Sequence, residues 1–356
     1  MKSSAIPFLF LRGGTSRGPY FLRRDLPQDR QALAETLLAI IGSGSTGNVD
    51  GLGGGIAVTC KVAMLSPSES DWADVDYFFA QVIPEEGQVD FAPTCGNILA
   101  GVGPAAIEMG LVKATPGRTR VRIRAVNTNT LVEASVPTPG GEVQYALPIR
   151  MGGTAEPILL DFMRVTGAKT GRLLPTGAPR DSIGGIEVSC IDAAMPMVLA
   201  RADSLGVTGY ESKAELDANR DLFTHIEPIR LEAARRMGMG DATRSVVPKF
   251  GLLAPARNGG TICSRYFMPW DCHPSHAVTG GICVTAALLL PGSITADLLK
   301  APLSPPRASV VIEHPSGSLK LQAEFTLDGA TLDLKCIGTT RTARKLAAGN
   351  VFVSIP

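Results

Sequence analysis

Pro93-Thr94-Cys95-Gly96-Asn97-Ile98-Leu99-Ala100-Gly101-Val102-Gly103-Pro104 is the stretch that decides the fold. A polar turn runs directly into an apolar helix, expected over 96–110, with Ile98, Leu99, Val102, Ala106 and Ile107 at helical spacing. Cys95 then stands at the helix N-terminus, where free N–H groups and the helix dipole favour an anion. The same field favours a thiolate and suits the cysteine to proton exchange. Gly96 admits a ligand close to the backbone, and Asn97 adds amide donors. A buried structural cysteine with an ordinary glycine cap is the bland alternative.

Outward from this helix the chain is a series of short strands. Residues 6–12 and 19–23 flank the turn Gly13-Gly14-Thr15-Ser16-Arg17-Gly18, and a helix is expected from Gln28 to Ile41. Strands are expected at 56–65, 74–83, 118–127, 130–136 and 141–147. Residues 166–184, rich in Gly, Pro and Thr, read as a linker. Beyond it come strands at 186–191 and 197–200, and a helical stretch from Lys213 to Met237 that Pro228 is expected to break. Two strands in 246–268, a helix near 280–290 and strands at 308–313, 319–327 and 330–337 complete the chain. Each half thus holds many short strands and one glycine-started apolar helix. The reading is α+β, with two similar domains, 1–182 and 183–339, and a closing segment at about 340–356 that returns to the first. Strand and helix do not alternate, which disfavours a doubly wound parallel sheet.

Lys61 lies in Ala57-Val-Thr-Cys-Lys-Val-Ala-Met-Leu65, sharing a strand face with Ala57, Thr59, Ala63 and Leu65. Partial desolvation there disfavours the ammonium and suits a base, whereas a lone edge-strand lysine would snorkel to water. Gly42-Ser-Gly-Ser-Thr-Gly47 matches a dinucleotide fingerprint literally. It follows a helix and runs into more glycine, so a loop or lid over 42–55 is the better reading. Cys272, His273 and His276 lie close in sequence, but no second ligand cluster accompanies them, and no metal is expected. They lead instead into Thr279-Gly280-Gly281, a second helix head fit for an anion. Arg265, within a strand, could clamp a carboxylate. No G-x-S-x-G occurs, which weakens a serine hydrolase.

Composition removes other classes. Thirty-four Lys and Arg balance 33 Asp and Glu, and aromatic residues are 5%, so neither a basic stripe nor a stacking platform for nucleic acid or a membrane surface is present. Seven scattered cysteines without a CxxC pair argue against a disulfide framework and suit a cytoplasmic protein. Thirty-nine glycines and 26 prolines agree with many turns. The sequence does not fix the oligomeric state, and a homodimer is an open expectation.

The segments RGGTSRGPYFL at 12–22, the Lys61 strand, PTCGNILAGVGP at 93–104 and HPSHAVTGGICVTAA at 273–287 resemble the PrpF family. That family includes methylitaconate Δ-isomerase, aconitate isomerases and 4-oxalomesaconate tautomerase. The resemblance also covers CIDAAMPMVLARADSLGVTGYE at 190–211 and the closing RTARKLAAGNVFVSIP. It implies a diaminopimelate epimerase-like fold: two domains, each a β-barrel-like sheet around a central helix, with the active site between them. It implies proton transfer without a cofactor, by a lysine and a cysteine that correspond to Lys61 and Cys95. The second helix head carries Thr279-Gly280 where the epimerases have a second cysteine. A 1,3-allylic proton shift on an unsaturated di- or tricarboxylate therefore fits better than symmetric racemisation. In this reading Gly96 and Asn97, with Gly280 opposite, hold the developing charge. Gly14, Thr15 and Ser16 hold a carboxylate, helped by Arg265 and His276. The motifs most resemble the 4-oxalomesaconate tautomerase branch, with aconitate or methylitaconate isomerisation as alternatives. A silent carboxylate binder is the competing class, and the Lys61/Cys95 pair counts against it.

Overall fold

A computed structural model of the chain describes residues 3–145 and 157–354. They fall into two compact units, one within 1–162 and 340–356, the other within 163–339.

The first unit contains β1 (Ser3–Gly13), β2 (Ser16–Leu22), α1 (Arg30–Ile41), β3 (Lys61–Pro67), β4 (Val75–Ile83), β5 (Gln88–Asp90), α2 (Gly96–Glu108), β6 (Gly117–Ala125), β7 (Thr130–Thr138) and β8 (Ile158–Met163). Three antiparallel hairpins, β1–β2, β3–β4 and β6–β7, are joined side by side through the parallel pairs β2–β3 and β4–β6. The closing strand of the chain, Ala343–Ser354, pairs antiparallel with β1 in the register Ser3↔Ser354. The helix α2 is buried from Ile98 to Ala106 without a solvent face, as befits a helix wrapped by a sheet. Glycines permit that closeness. A Cβ on Gly101 would stand 2.3 Å from the Tyr20 hydroxyl, and one on Gly103 would stand 2.7 Å from Val136.

Helix α1 lies on the other side of the sheet. Asp29 caps it by accepting from the Gln31 and Ala32 amides, and Gly42 at φ 93° ends it. Leu33, Leu37, Ile40 and Ile41 are buried against Phe21, Val62 and Met64. Full burial of each such side chain stabilises by about 1.5–3 kcal/mol. The expected strand from Ile56 begins only at Lys61, because 57–59 close a 3-10 turn. The strand expected at 141–147 does not form over 141–145, which follow a 3-10 turn at Pro139–Gly141. Its last two residues lie outside the described residues.

The second unit starts at Met163, twenty residues before the expected boundary. The stretch expected to be a linker is bonded into this unit. The buried Asp192 carboxylate accepts from the Lys169 amide, the Thr170 amide and the Thr170 hydroxyl at 2.8, 2.7 and 2.8 Å. The unit continues through β9 (Asp181–Ile183), β10 (Ile186–Asp192), β11 (Pro196–Arg201), α3 (Lys213–Ala218), α4 (Arg220–Arg236), β12 (Lys249–Pro255) and β13 (Ile262–Phe267). It ends with α5 (Val278–Leu289), β14 (Arg307–His314), β15 (Gly317–Asp328) and β16 (Thr331–Arg341), so that the closing strand is β17. The pairing repeats that of the first unit: hairpins β10–β11, β12–β13 and β14–β15, joined by the parallel pairs β11–β12 and β13–β14. After the first hairpin comes one outer helix in the first unit and two, α3 and α4, in the second, and in both a buried helix follows the second hairpin. The helix α4 runs through Pro228 unbroken, held by buried Leu222, Ile226, Ile229 and Ala233. The break falls instead at Asn219, whose side chain accepts from the Leu222 amide and starts the new helix.

Candidate active site

One face of β4 meets two of the sequence-derived candidates of the first unit, Lys61 and Cys95. The register Lys61↔Gln81, Ala63↔Phe79 and Leu65↔Tyr77 puts these six side chains on the same side of the β3–β4 pair. The Lys61 ammonium donates to the Gln81 amide oxygen and lies 5.4 Å from the centroid of the Phe79 ring. Tyr77, 6.3 Å from Phe79 between ring centroids, donates its hydroxyl to the Cys95 carbonyl at 3.4 Å. The β1–β2 hairpin adds Tyr20, whose hydroxyl donates to the Ile98 carbonyl at 2.5 Å. Burial, reinforced by Cys95, raises both tyrosines well above their ordinary range, so both remain O–H donors.

Cys95 is the N-cap residue of α2 and is half-buried. No side chain caps α2 or α5, whereas Asp29, Ser212 and Asn219 cap α1, α3 and α4. The two buried helices therefore keep their first amides and the positive end of the dipole available to an anion. The glycine turn is pressed onto the head of α2. A Cβ on Gly14 would stand 2.2 Å from the Asn97 amide oxygen, and one on Gly13 would stand 2.2 Å from the Asn97 carbonyl. Asn97 donates its side-chain amide to the Thr15 hydroxyl at 3.1 Å. Arg12 secures the turn from behind, donating to the carbonyls of Gly14 and Thr342 at 2.8 and 3.1 Å. Ser16, 2% exposed, shares the inward face of β2 with Gly18 and Tyr20. Gly18 is required there, because a Cβ would collide with the Lys61 carbonyl. Lys61, Cys95, Gly14, Thr15, Ser16, Gly96 and Asn97 thus all lie in the first unit, around β4 and the head of α2.

The second unit holds the other candidates. Gly280 sits against the Tyr266 ring, where a Cβ would approach to 2.5 Å, and Thr279 precedes it half-buried in the first turn of α5. Arg265 is 5% exposed and donates Nε to the Glu211 carbonyl at 2.7 Å and Nη1 to the Ser264 carbonyl at 3.2 Å. His276 is 7% exposed, with Nδ1 on the Ala277 carbonyl at 2.9 Å and Nε2 facing the Ser264 hydroxyl at 3.1 Å. Burial lowers it to about 4, which makes it a neutral imidazole that donates through Nδ1 and accepts through Nε2. Both side chains are occupied by their own unit. The neighbouring Cys272 and His273 are also engaged locally, the thiol with the His273 carbonyl and the imidazole with the Ser275 amide. The 42–55 loop folds back on itself through Asn48, which donates to the Gly42 carbonyl and accepts from the Gly55 amide and the Cys60 thiol. It opens no helix.

Sequence reasoning missed Gln81, Tyr77 and Tyr20. A glutamine among alternating apolar residues in Val75-Asp-Tyr-Phe-Phe-Ala-Gln-Val-Ile83 was the available signal for the first.

Each unit surrounds a buried helix that has no side-chain cap with paired hairpins, and the first unit carries Lys61 beside Gln81 and Cys95 at the head of its buried helix. The family model described as PrpF protein matches residues 3–354, and the chain belongs to the PrpF family. It is 45% identical over 356 residues to 4-oxalomesaconate tautomerase of Pseudomonas putida, covering 99% of this chain and 97% of that protein. It is 44% identical over 350 residues to (4E)-oxalomesaconate Delta-isomerase of Novosphingobium sp. (strain KA1), covering 98% and 97%. The crystal structure of methylitaconate-delta-isomerase superposes with a TM-score of 0.86 at 31% identity, covering 99% of this chain and 96% of that one. The chain is an α+β isomerase. Among the described residues, no helix is long and apolar enough to cross a membrane.

Proposed function

We propose that this isomerase moves a proton between the two ends of an allylic system in a keto-tricarboxylate of the 4-oxalomesaconate type. The neutral Lys61 amine removes a proton from a carbon next to a carbonyl or carboxylate. The electron pair delocalises through the double bond as a dienolate, and a proton returns two carbons away. Lys61 is the base and Cys95 the second proton-transfer group, each of a kind that contributes about 10²–10⁴-fold in rate. The amides of Gly96 and Asn97 hold the enolate oxygen in a site where preorganised donors need no reorientation. Thr15 and Ser16, beside the Gly14 turn, take a substrate carboxylate. The observation that carries this reading is the single β4 face supporting both Lys61, through Gln81 and Phe79, and Cys95, through Tyr77. Identity to the two oxalomesaconate enzymes exceeds that to methylitaconate-delta-isomerase and supports this reading, with aconitate or methylitaconate as alternatives.

Ultraviolet absorbance with 4-oxalomesaconate, the aconitates and methylitaconate tests the substrate. The fastest change is expected with 4-oxalomesaconate. Lys61→Ala is expected to abolish exchange of the substrate C–H with deuterated solvent, and Cys95→Ser to slow turnover by at least about 100-fold. Wild-type exchange in Lys61→Ala, or thermal stabilisation by one of these acids with no spectral change from any, would sink the assignment.

A further inference from the structure

The Gln81 amide is held in one orientation from outside. Its nitrogen lies within hydrogen-bond distance of three backbone carbonyls, Ala57 at 3.1 Å, Cys60 at 3.0 Å and Val82 at 3.2 Å, which share its two N–H donors. Only the NH₂ end of an amide can satisfy carbonyls, so the oxygen has no choice but to face the Lys61 ammonium, which donates to it. Lys61 has no ion pair among the described residues, and its second neighbour is the Phe79 ring. The titratable groups that share this interior side are Tyr20 from β2, Tyr77 from β4 and Cys95 at the head of α2, with Tyr145 near Tyr20. Tyr20 and Tyr77 are engaged with backbone carbonyls. Arg17 points to the opposite side of β2 and is exposed, and Asp76 on the outer side of β4 is paired with Arg124.

We propose that Gln81 is the positioning residue of the base: a neutral acceptor, oriented by three carbonyls, that aims the Lys61 amine without fixing its positive charge. The inference rests on Lys61 acting as base. A carboxylate in this place would hold the ammonium and withhold the lone pair that the reaction needs. An apolar side chain would leave the amine free to swing. A neutral amide, locked so that it cannot turn its NH₂ toward the lysine, does neither. The 3-10 turn at 57–59 is what presents two of the three carbonyls, so the turn that delays the start of β3 also orients its first residue.

The test is kcat/KM against pH for the parent, Gln81→Glu and Gln81→Met, with Lys61→Ala measured alongside. In Gln81→Glu the acid limb is expected to move to higher pH by about one unit or more, as an opposite charge at this range favours the protonated amine. In Gln81→Met it is expected to move to lower pH, with a fall in kcat and little change in KM. Three carbonyls would face the second oxygen of the glutamate, so that variant loses thermal stability. Where it does not fold, Gln81→Met decides alone. An acid limb that stays in place in the variants that fold overturns the positioning role, because a purely structural glutamine would lower activity without moving it. Retained activity in Lys61→Ala removes the base itself, an outcome separable from an unmoved limb with Lys61→Ala dead.

Discussion

His276 shows how far a residue's environment can differ from its sequence context. The Cys-His-Pro-Ser-His run invites thoughts of metal or proton transfer, yet the ring is enclosed, neutral and bonded on both nitrogens. With its folded value lowered to about 4 against 6.5 for a free imidazole, the unfolded chain binds the extra proton first on acidification. Stability contributed by the neutral ring is full above about 6.5 and declines as pH falls toward about 4. At most about 3 kcal/mol is involved, from 1.36 kcal/mol per unit. His273 and His314, also lowered by burial, add to the same slope. Urea unfolding of the parent is thus expected to show a lower midpoint at pH 5 than at pH 7. His276→Asn should flatten part of that difference, and an identical difference in both proteins would contradict the account. Lys61 and Cys95 were legible as candidates because one stands in a strand of small residues and the other before Gly-Asn at a helix head. Gln81 was not, since its partners come from the opposite strand and a 3-10 turn, and only the strand register reveals that it faces Lys61.

At the scale of elements, α2 illustrates why its composition is so small-residue. It has no solvent face, and its axis approaches β2 closely enough that Tyr20 reaches the Ile98 carbonyl over Gly101. Gly101→Ala places a methyl group into the tyrosine ring and hydroxyl. The expected cost is about 1–3 kcal/mol of overpacking, read as a lower melting temperature. A loss of kcat is expected too, because Tyr20 and the helix head move together. An unchanged melting temperature would show that α2 can shift to accommodate the methyl group. The helix itself was readable from its apolar spacing and its polar start. Two neighbouring expectations failed for physical reasons: the strand at 56–60 yields to a 3-10 turn fixed by the Thr59 hydroxyl on the Ile56 carbonyl at 2.8 Å. Pro228 is tolerated because burial of α4 outweighs one lost backbone bond.

Over the whole molecule, both units use one order of hairpins and helices, although no sequence repeat is visible. Pairing order depends on which edges meet, and many unrelated short apolar strands satisfy the same edges. That is why the α+β class was legible from strand spacing, while the boundary near 163 was not: the glycines and threonines of 166–184 read as a tether until Asp192 is seen to bind them. The first unit is also interrupted in sequence, since β17 completes it from the far end of the chain by lying against β1. The register Ser3↔Ser354 makes the unit continuous in every respect except covalent order. A circular permutant that links the two ends with a short glycine-serine bridge and opens the chain between 162 and 163 would place 340–356 directly before 1–162. A fragment with that order is expected to melt cooperatively by circular dichroism, whereas residues 1–162 in natural order, lacking the partner of β1, are not. Equal melting of the two would mean that the closing strand adds no stability. The covalent order of the strands in this unit is in this sense separable from the order in which they pair.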